Sequence, residues 1–322
     1  MDIGTFLLMQ SPSQAPSADI FSRGLEQAQA AEQLGFRNCW LGEHHFSTYG
    51  YLSRPLQFAT HIAAKTTTLR VGTAVIVIPL HNPITVAEEI ATLDLLSNGR
   101  ADIGFGRGYQ QYEFARYGLD LDTARQTYDE ALDIVLNSFQ GKPFSYDGKH
   151  YKLPETMIYP QPIQRPHPPV WIVAQSPYAV EAAVRRGFSV LTGGFGVTIE
   201  HLTQYGKLFD DVCAKVQPKV KPPLGVQRAI YVADSAADAR DAAEHARWNM
   251  RVTLSLRNRY EQVEHGRAVP LTAPSEPSLD ELVKHYLMIS TPERLISQIK
   301  QDRKSTRLNS SHIPLSRMPS SA

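Results

Sequence analysis

Only two cysteines, Cys39 and Cys213, occur in 322 residues. Two thiols so far apart in the chain build neither a disulfide framework nor a thiolate metal cluster, and they read as reduced cytosolic side chains. No apolar run approaches the roughly 18 residues of a membrane span. The opening MDIGTFLLMQSPSQ has an acid at position 2 and a short apolar run, so it does not read as a secretory signal. Basic residues form no stripe of the kind that tracks a nucleic-acid backbone. The formal charge is +1, but Arg303, Lys304, Arg307 and Arg317 crowd the last 20 residues, where there is no acid. Without those four, 29 basic residues face 32 acidic ones and the body stands at about −3. The first strand-to-helix turn, LLMQSPSQAPSAD, lacks the glycine fingerprint of an open dinucleotide-binding sheet. A cytoplasmic, soluble protein with no nucleic-acid or membrane partner is the expectation.

What is present is an alternation of short β-branched or apolar runs with longer segments of helical period, the pattern of βα units and a parallel sheet. IGTFLLM, RNCWLGE, LRVGTAVIVI, ADIGFG, PVWIVAQ, FSVLTGG and GVQRAIYVA are each followed by such a helical segment, which makes seven units. Gly35, Gly99 and Gly187 each stand between a helical run and a strand, where a helix C-terminus favours glycine. Seven units in a chain with 42% hydrophobic residues predict an α/β fold, a (β/α)8 TIM barrel filling residues 1–302 as one domain.

Two stretches interrupt the rhythm. Residues 141–169 are rich in proline and aromatics and predict an excursion with a hairpin around Asp147-Gly148. Residues 251–290 contain RAVPLTAPSEPS, too proline-rich for one helix, and predict a long loop or lid. Residues 303–322 hold six serines and two prolines in their last 18 positions and no run of four apolar residues. They read as a disordered polar tail foreign to the rest, a truncated or misread gene end. The barrel is therefore expected to lack its eighth strand and last helix, leaving strands 1 and 7 with open edges.

Chemistry in a barrel sits where the strands end. The second strand ends in Trp40-Leu41-Gly42-Glu43-His44-His45-Phe46, a carboxylate and two histidines just beyond an apolar run. Three readings are open: a catalytic histidine, a hydrogen-bonded structural pair, or a metal site. Three consecutive residues seldom converge on one ion without distant ligands, and no metal is assigned. Adjacent side chains in an extended segment point opposite ways, so His44 and His45 serve different surroundings. His61 falls among apolar residues of a helix and reads as structural, while His81-Asn82-Pro83 opens the third helix near the strand ends.

The stretches WLGEHHFSTYGY, LRVGTAVIVIPLHNPITVAEEIATLDLLSNGRADIGFGRGYQQYEFARYG and PPVWIVAQSP resemble the bacterial luciferase-like family of flavin-dependent monooxygenases, in order from residue 1 to about 302. The resemblance implies that reduced FMN binds at the C-terminal face and reacts with O2. A C4a-hydroperoxyflavin then oxygenates a small organic substrate, with the protein supplying position and exclusion of water. A separate flavin reductase delivers the reduced FMN, since no second nucleotide-binding unit is visible, and a homodimer is expected.

The same resemblance makes His44 the active-site histidine, able to take and return a proton near neutrality, with Glu43 orienting its neighbourhood. It puts a non-proline cis peptide within Thr73-Ala74-Val75-Ile76, where Ala74 and Val75 lie under the flavin ring. It assigns the flavin phosphate to Arg107 and Gly108 of GFGRGYQ, with Gln175 and Ser176 after the fifth strand. A guanidinium grips phosphate bidentately and a helix N-terminus favours an anion. Gln175 departs from relatives that present a carboxylate there. Alternatives on the same barrel are an F420-dependent oxidoreductase working by hydride transfer, and a non-catalytic flavin-binding or partner subunit.

Overall fold

Every residue of the segments Asn38–Leu41 and Ala101–Gly106 is buried, as expected of parallel strands covered on both faces. They belong to a ring of eight parallel strands in the computed structural model, which describes residues 2–194, 197–257, 263–272, 276–305 and 313–316. Around the ring run β1 (Ile3–Leu7), β2 (Asn38–Leu41), β3 (Arg70–Val77), β4 (Ala101–Gly106), β5 (Val170–Val173), β6 (Ser189–Gly193), β7 (Leu224–Val232) and β8 (Ile313–Ser316). Closure comes from β7, which pairs with β6 on one side and β8 on the other. Outside the ring lie α1 (Ser17–Gln33), α2 (Pro55–Ala64), α3 (Pro83–Leu96), α4 (Gln111–Arg116), α5 (Ala124–Ser138), α6 (Pro177–Arg185), α7 (Ile199–Val216), α8 (Ala236–Arg257) and α9 (Pro292–Ser305).

Side chains cap α3, α6 and α7. Asn82 Oδ1 accepts the N–H groups of Ile84 and Thr85 at the head of α3, and Thr198 accepts that of His201 at the head of α7. Gly35 and Gly99 take the left-handed φ of 78° and 75° that ends α1 and α3. Inside the ring, Trp40 and Trp171 meet edge to face with centroids 5.2 Å apart, joined by Phe6 and Leu191. A Cβ on Gly72 would stand 2.6 Å from the Trp40 ring, so the indole has room only because that position is glycine. Between ring and helices, Ile62, Leu69, Ile90 and Val190 are fully buried, each worth about 1.5–3 kcal/mol against exposure.

The eighth strand corrects the expectation that the barrel lacks one. Residues Ile313–Ser316 lie parallel to Ile3–Phe6 of β1, and Leu315 and Ser316 pair with Arg228 and Ala229 of β7. The polar composition misled because ring closure is a demand of the backbone. Unpaired N–H and C=O groups on β1 and β7 take a partner even from four residues that include Pro314. Farther along β7, Met288–Ser290 pairs with Ile230–Val232. Residues 303–305 complete α9, whereas 306–312 and 317–322, with any last helix, lie outside the described residues.

The excursion at 141–169 contains the expected hairpin, Phe144–Asp147 against Lys152–Thr156. The region 251–290 begins as the last turns of α8 and continues into a small hairpin, Val263–Glu264 with Arg267–Ala268. That hairpin is fastened beside the end of β2: the Thr48 N–H donates to Gly266 O at 2.8 Å and the Ala268 N–H to Thr48 Oγ1 at 3.0 Å.

Candidate active site at the C-terminal face

Residues read from the sequence as functional lie on four adjacent strands, within β3 or just past the C-terminal ends of the others: Glu43 and His44 after β2, Ala74 and Val75 within β3, Arg107 and Gly108 after β4, Gln175 and Ser176 after β5. The Ala74–Val75 peptide is cis, as expected for that stretch, and the β3–β4 register slips between Thr73 and Ile76. Ala74 and Val75 are the two half-buried residues in a strand otherwise buried beyond Arg70. Glycines on β4 make the slip fit, because a Cβ on Gly104 would stand 2.1 Å from Thr73 O and one on Gly106 2.3 Å from Val75 Cγ2.

His44 and His45 turn to different partners. The His44 ring lies edge-on to Tyr49 at 4.6 Å, and its Nδ1 is 3.2 Å from Glu113 Oε1. That oxygen also accepts the His45 backbone N–H at 2.8 Å and the Tyr112 hydroxyl at 3.4 Å. An oxygen that already accepts a backbone N–H acts as an acceptor, so Nδ1 of His44 carries the proton. Nε2, which has no hydrogen-bond partner among the described residues, is then the basic nitrogen. Glu113 is 1% exposed and escaped the sequence reading. Its signal was an acid between Tyr112 and Phe114, two aromatics that bury whatever stands between them.

Glu43 gathers the other histidine. Its Oε1 accepts from His45 Nε2 and His81 Nε2, each at 2.8 Å, and its Oε2 from the Val77 N–H at 3.0 Å. Burial pushes this carboxyl up, but the hydrogen bonds from His45 and His81 outweigh it and hold it at about 2. These three residues are the one candidate metal-ligand group among the described residues. The donor set as it stands is arranged for hydrogen bonding. Arg54 Nη1 sits 3.0 Å from His81 Nδ1, and a guanidinium can only donate. Nδ1 of His81 therefore accepts, Nε2 holds the proton, and that proton points at Glu43 where a metal would need a lone pair. Tyr117 OH, 3.1 Å from His45 Nδ1, completes the chain. Glu43 ties the end of β2 to β3 just past the cis peptide.

Arg107 is exposed and has no ion-pair partner among the described residues. Beside it Gly108 has φ 81°, and a Cβ there would stand 2.7 Å from both Phe114 and Val77. On the neighbouring strand Ser176 caps α6, accepting the Ala179 N–H at 3.2 Å, and Gln175 is exposed. His61 stacks on Phe58 of α2 with centroids 6.3 Å apart, away from these strand ends. Among the described residues no helix is long and apolar enough to cross a membrane.

A family profile described as luciferase-like monooxygenase matches residues 1–309. The oxygenase component of the flavin-dependent trigonelline monooxygenase of Acinetobacter baylyi is 33% identical over 246 residues, 76% of this chain and 68% of that protein. A monooxygenase from Streptomyces bottropensis superposes with a TM-score of 0.83 at 24% identity, covering 99% of this chain and 94% of that one. The FMN-bound oxygenating constituent of 3,6-diketocamphane monooxygenase from Pseudomonas putida gives 0.77 at 16% identity, over 98% and 92%. The structural likenesses speak for the fold, and the profile spans nearly the whole sequence. This chain belongs to the luciferase-like monooxygenase family.

Proposed function

We propose that the protein is the oxygenase component of a two-component system. It takes reduced FMN from a separate flavin reductase and uses O2 to oxygenate a small organic substrate. The observation that carries this reading is the His44–Glu113 pair, a histidine with one nitrogen fixed by a buried carboxylate and the other unspent, at the strand ends where the β3–β4 register slips. The naming of the Acinetobacter relative as an oxygenase component supports the need for a reductase.

The donor set on this face suits FMN. Arg107 has no ion-pair partner among the described residues, and on the neighbouring strand end Ser176 with Gln175 heads the nine-residue helix α6, which offers a dianionic phosphate charge and N–H donors. Gly108 lets the chain pass close to a ligand. Ala74 and Val75, the half-buried residues of β3, offer a flat apolar contact to a ring. When bound, the reduced flavin supplies the activation of O2 and the transfer of one oxygen atom.

His44 Nε2 takes a proton from a reacting group and returns it, while Nδ1–H stays on Glu113 so that the ring keeps its orientation. Glu43 is a positioning residue, since its oxygens are occupied by His45, His81 and Val77. The hairpin Val263–Glu264 with Arg267–Ala268, fastened to Thr48, covers the end of β2 on that side.

The test is anaerobic titration of the protein with reduced FMN and with reduced F420, followed by admission of O2. Tight binding of reduced FMN and an oxidation course distinct from that of free flavin are expected. Preference for F420, with no change in the reaction of FMN with O2, would point to hydride transfer instead. Indifference to both would leave a non-catalytic subunit.

A further inference from the structure

The loop after β2 and the helix α8 are joined beside His44 by three buried polar side chains, Tyr49, Thr253 and Asn249. We infer that Thr253 is a positioning residue, which holds the Tyr49 ring against His44 and so sets where Nε2 of that histidine points. Its consequence for turnover rests on the oxygenase reading above.

The Glu113 hydrogen bond does not set that direction alone. It places Nδ1, but a hydrogen bond of 3.2 Å tolerates a spread of angles, so the tilt of the imidazole is decided by what packs on the ring. Two walls do so. A Cβ on Gly50 would stand 2.7 Å from His44 Cβ and 3.4 Å from its Cδ2, which puts the backbone close against one edge. The Tyr49 ring is the second wall, its centroid 4.6 Å from that of the imidazole and its plane turned by 67°.

Tyr49 lies in an apolar cluster with Tyr112, Val252, Leu256 and Ala268, where a phenol needs a partner for its hydroxyl. Thr253 supplies one. Its Oγ1 lies 3.2 Å from the Tyr49 hydroxyl and donates to Asn249 Oδ1, one helical turn earlier, at 3.2 Å. That hydrogen is spent on an oxygen that only accepts, so Tyr49 is the donor in its bond to Thr253. Asn249 Nδ2 donates in turn to Gln10 Oε1 in the loop after β1. Buried polar groups paired in series hold one arrangement. Phenylalanine at position 49 would fill the same space without a tether to α8.

The test is nuclear magnetic resonance of the full, flavin-free chain carrying isotope-labelled histidine, with His44 identified by the signals lost in His44→Gln. In Thr253→Val, which has nearly the same shape without the hydroxyl, the His44 ring resonances should shift or double. Those of His45 and His81, held by Glu43, should stay in place. Thr253→Ser restores the hydroxyl and should return the His44 signals to their wild-type positions. Tyr49→Phe leaves no donor stranded and should move the same signals even if the valine variant folds poorly. In Tyr49→Phe and Thr253→Val, oxidation of bound reduced FMN should slow roughly tenfold, with FMN affinity changed by no more than about twofold. Unchanged His44 resonances in folded Tyr49→Phe would overturn the proposal, and so would movement of all three histidines together, the mark of general loosening. No flavin takes part in that measurement, so its failure leaves the oxygenase reading standing. Shifted His44 resonances in a protein that ignores reduced FMN would overturn only that reading.

Discussion

Glu113 Oε1 stands 3.2 Å from His44 Nδ1 and 2.8 Å from the backbone nitrogen of His45, so one buried oxygen fixes both an imidazole and the chain that carries it. The ring is thereby held in one tautomer with Nε2 free. Glu113→Gln keeps the volume but exchanges a charged acceptor for a neutral amide that also presents a donor. Turnover should fall roughly tenfold to a hundredfold with FMN affinity nearly unchanged, and the pH profile should shift. Glu113→Ala strands the buried donors and should cost about 2–4 kcal/mol in chemical denaturation. A Gln variant with wild-type turnover and pH profile would reduce Glu113 to packing.

The Glu43 network gives a pH dependence of definite sign. The carboxyl lies at about 2 in the fold against an ordinary 4.5. A depressed folded value contributes stability that is fully present above the unfolded value and is lost as pH falls from about 4.5 toward 2. The contribution is on the order of 3 kcal/mol at neutral pH. Urea denaturation at pH 7 should find Glu43→Gln less stable than wild type, and the gap should narrow between pH 5 and pH 3. A gap independent of pH would mean that the charge on Glu43 does not carry the effect.

Arg107→Ala should weaken FMN far more than riboflavin, because the guanidinium is proposed to hold the phosphate and not the ring. Equilibrium titration with both flavins reads this directly. Equal weakening of the two would place the phosphate elsewhere.

Much of this architecture was legible in the residues, and the failures have physical causes. Short apolar runs and helical periods located seven strands and their helices, since those segments bury side chains and so must pattern them. The eighth strand, Ile313–Ser316, escaped because its place in the ring rests on backbone pairing, which composition does not report. At the site, His44 and the cis Ala74–Val75 peptide stood in a distinctive local string. Glu113 did not. It reaches His44 across 69 positions of sequence, and only the fold brings them together. His81 shows the same limit: its nearness to the strand ends was readable, but its hydrogen bond to Glu43 needed the third dimension.

The eighth strand itself is open to a stability test. Removing residues 313–322 leaves β1 and β7 with unpaired edges, and the melting temperature should fall by several degrees with increased self-association. An unchanged melting temperature and a monodisperse profile in size-exclusion chromatography would show that the strand adds nothing to closure.

The central claim is that His44 handles protons for oxygen chemistry on this face, and stopped-flow mixing of O2 with protein-bound reduced FMN tests it most directly. In His44→Ala, the enzyme-bound oxidation chemistry and any product formation should slow by roughly 10²–10⁴-fold, while reduced FMN binds within a few-fold of wild type. A His44→Ala protein that follows the wild-type time course, or that merely loses the flavin, would contradict the account.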